Sequence, residues 1–363
     1  MMLNRTRINK TAEILKERRF DALFIAPGAD MEYLSEMKMR PDERLKAIVL
    51  LSDGSLFCIS PKLYLGEFEE CIGGEAPIYI WDDNDWFHST VENAFRKHKL
   101  SGKRIGLNSG VRGIDAVDIQ KRNGVELFNG EDVLAELRMI KDKDELALMD
   151  KSGEICDTIM IELADFILPG KSEKEIRRYI MRRFEELGAD FNSWNPIVGA
   201  GANGAFGHYS GESGFVGDRD VVIVDIGCGY KGYRSDITRT YFIGEPTLKQ
   251  KDVFEAVLGA QEAAEKMVAP GVPVCEIHRT AASHMTKAGF GDTFHTRTGH
   301  GVGREGHELP YISASNRMPV REGMCFSVEP NASLPGEFGV RVENTVTVTK
   351  DGMHSFNKCP KRM

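Results

Sequence analysis

Along the first 130 or so residues, short apolar runs at Ala22–Ala26, Ala47–Leu51, Ser55–Ile59, Ile78–Trp81, Arg104–Leu107 and Val125–Phe128 alternate with amphipathic stretches. Ile8, Ala12 and Leu15 recur at helical spacing, and Asp85–Lys97 reads the same way. This alternation predicts a small α/β domain. Met1–Lys10 carries Arg5 and Arg7 but no apolar stretch after them, so it reads as the opening turns of a helix and not as a secretory signal.

The pattern then changes. Glu131–Ile140 runs into a long helical pattern, with Leu146, Met149, Cys156, Ile159, Met160, Leu163 and Phe166 on one side, ending at Pro169–Gly170. The domain boundary is therefore placed near Gly130, giving domains 1–130 and 131–363. Ser172, with Glu175 three residues on, has the signature of a capping box opening a second helix that stops near Gly188. Beyond it, strands and glycine-rich turns are interrupted by helical stretches at Leu248–Met267 and Val274–Ala288. The second half is expected to be a mixed α+β domain.

Composition narrows the function classes. Hydrophobic residues make up 41% of the 363 and charged residues 28%, and no apolar run exceeds five residues, so no membrane span is expected. The formal net charge is −8, without a dense Lys/Arg cluster interleaved with aromatics, which argues against nucleic acid as a partner. Seven cysteines, scattered and never spaced C-x-x-C, fit neither a disulfide framework nor a thiolate zinc site. They are expected to be reduced, in a cytoplasmic protein.

The candidate chemistry begins with Asp225, inside the apolar strand Val221–Ile226, where a carboxylate must be paired, protonated or bound to a metal. Asp236 follows eleven residues later at the head of a second strand-like run, and a hairpin-like return would bring the two together. Adjacent carboxylates cannot both ionise without a compensating cation, which suggests a metal; a turn Asp and a strand-end Asp remain the plain alternative. In Val340–Val348, strand alternation puts Arg341 and Glu343 on a polar face opposite the valines. An exposed Arg341–Glu343 ion pair is the simpler reading of that face. Glu329 closes the run Cys325–Val328 before Pro330, and His300 sits between glycines that allow close approach. Four carboxylates and one imidazole carry the charge that two divalent cations would neutralise, in an oxygen-rich set that suits manganese first, with cobalt or zinc also fitting.

The segments VDIGCGYKGYRSDITRTY, RTGHGVGREGHELPYI, GMCFSVEP and GEFGVRVENT resemble the metal-binding motifs of the pita-bread metallopeptidases, particularly the Xaa-Pro dipeptidase (prolidase) and aminopeptidase P branch. The region before them is similar to the creatinase-like N-terminal α/β domain of that branch, which methionine aminopeptidases generally lack. The resemblance implies that Asp225 chelates one metal, Asp236 and Glu343 bridge two, and His300 with Glu329 holds the other. It also places His208, His307 and Arg341 towards the substrate. Three positions depart from the family pattern: Asn344 where an acid is usual, Asn331 where a glycine is usual, and Gly306 where a branched residue is usual.

The implied activity is hydrolysis of the Xaa-Pro bond of dipeptides or peptide N-termini by a metal-bridging hydroxide. The bond before proline is a tertiary amide that fits ordinary peptidase clefts poorly. Glu329 is the expected proton shuttle to the proline nitrogen, and His208 and His307 the hydrogen-bonding partners of substrate oxygens. A homodimer is expected by the same resemblance. Gly227-x-Gly229-x-x-Gly232 imitates a dinucleotide-binding fingerprint, but the Thr/Tyr-rich run after it reads as a strand where that fold needs a helix. A non-catalytic pita-bread binding protein, and a metal-dependent hydrolase of a non-peptide substrate, are the other two readings.

Overall fold

The computed structural model describes residues 3–363; Met1 and Met2, part of the expected N-terminal helix, lie outside them. The chain forms two compact units, one ending at Arg138 and the other starting at Met139. In the first, a six-stranded mixed sheet runs in the order Ile78–Trp81, Leu56–Pro61, Ala47–Leu51, Ala22–Ile25, Arg104–Leu107, Glu126–Asn129. The period-2 alternation of Ala22–Ile25 sends Leu23 and Ile25 to one face and Ala22 and Phe24 to the other. Both faces are covered. Ile8 and Leu15 of the helix Arg5–Glu17 pack with the first pair, and Val91 and Phe95 of His88–Lys97 with the second. The short helices Ala29–Ser35, Leu65–Ile72 and Gly113–Asn123 were not evident from periodicity, having too few turns to establish one.

The division falls after Arg138, not at Gly130, because Val133 and Leu134 of the helix Glu131–Met139 pack into the first unit's core. The single helical pattern expected from Glu131 to Pro169–Gly170 is broken in two. Asp142 caps a new helix, Lys143–Phe166, accepting from the backbone of Asp144 and Glu145 while Glu145 accepts from the Asp142 N–H. At the break, Lys141 N–H donates to the Gly323 carbonyl, so the chain serves briefly as a strand partner.

In the second unit, Ile197–Ala200, Asp220–Ile226 and Ile237–Ile243 form one antiparallel sheet. Glu308–Ile312, Gly299–Gly301, Cys325–Val328, Asn344–Thr349 and Gly352–Ser355 form a second, and Asn331–Leu334 pairs with Phe338–Arg341. Helices Lys143–Phe166 and Glu173–Glu186 bury Ile159 and Ile180 against Val222, Val224 and Ile226. Helices Leu248–Lys266 and Val274–Lys287 bury Val257 and Ile277 with Phe326, Val328 and Val346. The predicted capping box is present at Ser172, whose hydroxyl accepts from Glu175 N–H. All seven cysteines are free and buried.

Val340–Val348 is not one strand with an exposed polar face: pairing stops at Arg341, resumes at Asn344, and changes partner strand between them. Arg341, Glu343 and Thr345 are buried like the valines.

Candidate metal centre and active site

The strand Asp220–Ile226 and the strand Ile237–Ile243 pair so that Asp225 faces Thr238 and Ile226 faces Ile237. Asp236 therefore stands one residue outside the ladder, beside Asp225. Between them the chain makes a short hairpin, Cys228–Tyr230 with Tyr233–Arg234, turning at Lys231 and Gly232 in left-handed backbone conformation. No helix opens at Gly232, which removes the dinucleotide-binding reading.

His300 enters from the strand Gly299–Gly301, which lies so close to Cys325–Val328 that a Cβ on Gly299 would stand 1.9 Å from the Ser327 carbonyl oxygen. Only glycine fits there. His300 Nδ1 lies 3.1 Å from the Gly301 carbonyl, which can only accept. Nδ1 therefore carries a proton and donates it to that carbonyl, and Nε2 turns inward. That nitrogen lies 3.0 Å from Glu329 Oε1 and 3.5 Å from Asp236 Oδ2. Glu343 is held from the other side, accepting at Oε2 from the Thr238 hydroxyl at 2.6 Å.

Ligand atoms of Asp236, His300 and Glu343 all lie within 4.8 Å of one another; Asp225 and Glu329 border this cluster without joining it. Arg341 crosses beside it, with Nη2 on Asp225 Oδ2, Nε on the Thr238 hydroxyl at 3.0 Å and Nη1 on the Gly207 carbonyl at 3.1 Å. Burial, reinforced by the neighbouring carboxylates, holds Asp236 and Glu343 well above the usual carboxylate range. Burial raises Asp225 too, although the Arg341 charge opposes it. Glu329 goes the other way, to about 2: desolvation is outweighed by its bond to His300 and by the His300 and Arg341 charges.

Two buried carboxylate oxygens, Asp225 Oδ1 and Glu343 Oε1, have no hydrogen-bond partner. Leaving such an atom unmet costs about 1–3 kcal/mol, and more where it is charged. A divalent cation meets both the missing bonds and the excess charge, so the residues present fit a metal.

The cluster opens into a cavity of about 950 Å³, lined among others by Trp194, His208, Arg234, Arg297, His307 and Arg341. His208 and His307 both reach solvent, with ring centroids 6.2 Å apart, and the His307 ring lies 3.7 Å from that of His300, tilted by 34°. Partial burial, with the charges of His300 and Arg297, pushes His307 down to about 4, so it is neutral near pH 7.

Several residues that build the site were not singled out in the sequence. Glu173, fully buried, accepts from Ala200 N–H, Asn203 Nδ2, the Tyr209 hydroxyl and Gly214 N–H, fixing the loop that carries His208. Its only sequence signal was its place in the first turn of a helix. Thr238, Trp194 and Arg297 carried no signal beyond their neighbourhood.

Family models divide the chain as its structure does. Residues 147–350 match the model of metallopeptidase family M24, and residues 7–140 match the creatinase/prolidase N-terminal domain. The chain belongs to metallopeptidase family M24. The pita-bread resemblance, its fold and the expectation of a metallopeptidase are thereby borne out, and family M24 enzymes use divalent metal. Within the family, the chain is 33% identical over 346 residues to the probable dipeptidase PepE of Mycobacterium bovis, covering 94% of this chain and 91% of the relative. It is 28% identical to the Xaa-Pro dipeptidase of Pyrococcus horikoshii, over 98% of each chain. Among solved structures, the recombinant prolidase of Thermococcus sibiricus superposes with a TM-score of 0.92 at 34% identity, over 98% of each chain.

The three departures from the family pattern have physical readings. Asn344 accepts from Arg239 Nη2 and donates to Glu265 Oε1, both at 2.9 Å; an ionised acid could do the first but would repel Glu265. Asn331 Nδ2 donates to the Thr296 hydroxyl at 2.9 Å. At Gly306 a Cβ would lie 3.1 Å from the Trp194 ring, so the indole fills the space a branched side chain would take.

Proposed function

We propose that this chain is a dinuclear metal-dependent exopeptidase that hydrolyses the Xaa-Pro bond of dipeptides or peptide N-termini. The observation that carries the reading is the pair of orphaned oxygens on Asp225 and Glu343, in and beside the buried cluster of Asp236, His300 and Glu343. Asp225, Asp236, His300, Glu329 and Glu343 are the proposed ligands, with manganese the first candidate. Bound there, divalent ions would acidify a water to serve as nucleophile and polarise the scissile carbonyl. The names of the relatives, dipeptidase and prolidase, supply the substrate class.

The chain's own residues do the rest. Glu329, partly open to the cleft, receives the proton of the attacking water and delivers it to the proline nitrogen, which must be protonated to leave. His307, neutral near pH 7, and His208 hydrogen-bond substrate oxygens from the cavity wall. Arg341 fixes Asp225 and offsets the negative charge when the site is partly loaded. A reducing compartment suits seven free, buried cysteines, so the reading includes a cytoplasmic protein, and by family analogy a homodimer. Among the described residues no helix is long and apolar enough to cross a membrane.

The test is to strip the protein with a chelator and assay Ala-Pro hydrolysis with and without added Mn²⁺. Restoration by the metal, with two ions per chain, is the expected result. Two bound ions without cleavage of any Xaa-Pro peptide would favour a non-peptide substrate; no bound ion would reject the ligand set.

A further inference from the structure

We propose that Arg239, closed off by the last residues of the chain, is a positioning residue for Glu343, so that the C-terminal strap 357–361 serves the metal centre as well as the fold. The inference rests on the ligand assignment above and adds to it residues that touch neither metal nor substrate.

The need arises in the backbone. Val342 and Glu343 lie between the strands Phe338–Arg341 and Asn344–Thr349, outside both ladders, so the peptide groups of Glu343 must find other partners. Its N–H donates to the Thr238 carbonyl at 3.1 Å. Its carbonyl accepts from Arg239 Nη1, which also donates to the Thr238 carbonyl at 2.9 Å. Arg239 is fully buried, and its other N–H groups are met as well. Nε donates to the Pro360 carbonyl at 2.7 Å, and Nη2 to Asn344 Oδ1 at 2.9 Å and the Cys359 carbonyl at 3.1 Å. Five donors thus meet five acceptors on three segments of chain, and all five acceptors are uncharged. A buried guanidinium calls for a counter-charge. Glu265 supplies it one side chain away, accepting from Asn344 Nδ2 at 2.9 Å and from Lys361 Nζ at 2.6 Å.

The strap is anchored on both sides of the two carbonyls that meet Arg239. Before them, Asn357 Oδ1 accepts from Thr345 N–H at 2.8 Å, and Lys358 N–H donates to Asp157 Oδ2. After them, Lys361 Nζ reaches Gln261 Oε1 at 2.6 Å as well as Glu265. Gln261 Nε2 in turn lies 3.5 Å from the carbonyl of Val328, the residue before Glu329. One buried network therefore touches the main chain at Glu343 and next to Glu329. The Glu343 carboxylate is already held by the Thr238 hydroxyl; what Arg239 fixes is the peptide from which that side chain springs. Misplacement by about 1 Å is enough to cost a site on the order of 100-fold.

The test titrates Mn²⁺ calorimetrically into the chelator-stripped, full-length protein, comparing wild type with Arg239→Gln, Arg239→Lys, Lys361→Met and Lys358→Met. R239Q is expected to weaken Mn²⁺ binding about 10–100-fold without removing a proposed ligand, and R239K to fall between. K361M loosens the strap and leaves Arg239 in place, with an expected loss of about tenfold. K358M removes the same charge from an exposed position of the same strap and should bind like wild type. At saturating Mn²⁺, R239Q and K361M should lower kcat for Ala-Pro with KM unchanged, because no substrate contact is lost. A role in the fold alone would lower the urea midpoint and leave the Mn²⁺ affinity of the folded protein where it was. Wild-type affinity in folded R239Q or in K361M, or equal losses in K361M and K358M, would overturn the inference and leave the ligand assignment standing. Should neither Arg239 variant fold, K361M against K358M decides. Wild type that binds no Mn²⁺ would overturn both.

Discussion

Arg341 donates Nη2 to Asp225 Oδ2, while Oδ1 of the same carboxylate is buried and lacks any hydrogen-bond partner. One oxygen is thus answered by a fixed cation, and the other is the one that the proposed metal would meet. A guanidinium in this position favours the ionised form of a buried aspartate, against the burial that opposes it, without occupying the space of the proposed metal.

Removing that cation should therefore destabilise the metal-free form most. Arg341→Ala breaks a buried pair, and about 3–5 kcal/mol of unfolding free energy should be lost in chelator-treated protein. Added Mn²⁺ should recover part of the deficit, because the ion takes over the charge on Asp225. Urea unfolding with and without metal measures both, and equal deficits in the two states would show that Arg341 acts independently of the metal.

Thr238 predicts a subtler effect. Its hydroxyl donates to Glu343 Oε2 and accepts from Arg341 Nε, so it orients a proposed ligand and its neighbour at once. Thr238→Val should lower metal affinity about 10–100-fold without removing a ligand. Asp236→Asn or Glu343→Gln, which remove proposed ligands, should reduce kcat/KM by more than about 100-fold and lower the metal content measured by atomic emission.

The shifted carboxylates fix the sign of the pH dependence. Asp225, Asp236 and Glu343 have folded pKa values above their unfolded ones, so their contribution to stability is fully present below about pH 4 and is lost as pH rises through the folded values. Glu329, lowered to about 2, contributes in the opposite sense, but only as pH falls from about 4.5 towards 2. Above about pH 4.5, where Glu329 no longer contributes, the three raised groups alone set the sign. The rise in Tm on adding Mn²⁺ should therefore grow as pH rises, since the metal relieves a repulsion that grows with pH; calorimetry at fixed free metal tests it.

Gly306 offers a packing test. Gly306→Val should push against the Trp194 ring and cost about 1–3 kcal/mol, with a change in tryptophan fluorescence. Trp194→Ala in the same chain should restore part of the loss, and a double-mutant cycle with no coupling would separate the two residues.

Which parts could be read from the sequence follows from what sets each part. The strand around Asp225 was legible because a carboxylate inside an apolar run contradicts its surroundings, and the helix at Ser172 was legible because its cap and its glutamate are three residues apart. The break at Asp142 was also written locally, in Asp142 and Glu145, but the apolar periodicity continues across it and hid the signal. The interruption at Val342–Glu343 had no local mark at all, because alternation is preserved while the partner strand changes. Glu173, Trp194 and Arg297 act on residues fixed only by tertiary packing, and nothing in their own neighbourhood announces it.

The loop carrying His208 is tied at two points that flank it. Arg341 holds the Gly207 carbonyl on one side, and on the other Glu173 holds the Tyr209 hydroxyl and the Gly214 N–H. The backbone of His208 is therefore immobilised before any peptide arrives, and its ordering entropy is charged to folding and not to association. In its proposed role the imidazole then needs only to rotate about its own side-chain bonds to meet a substrate.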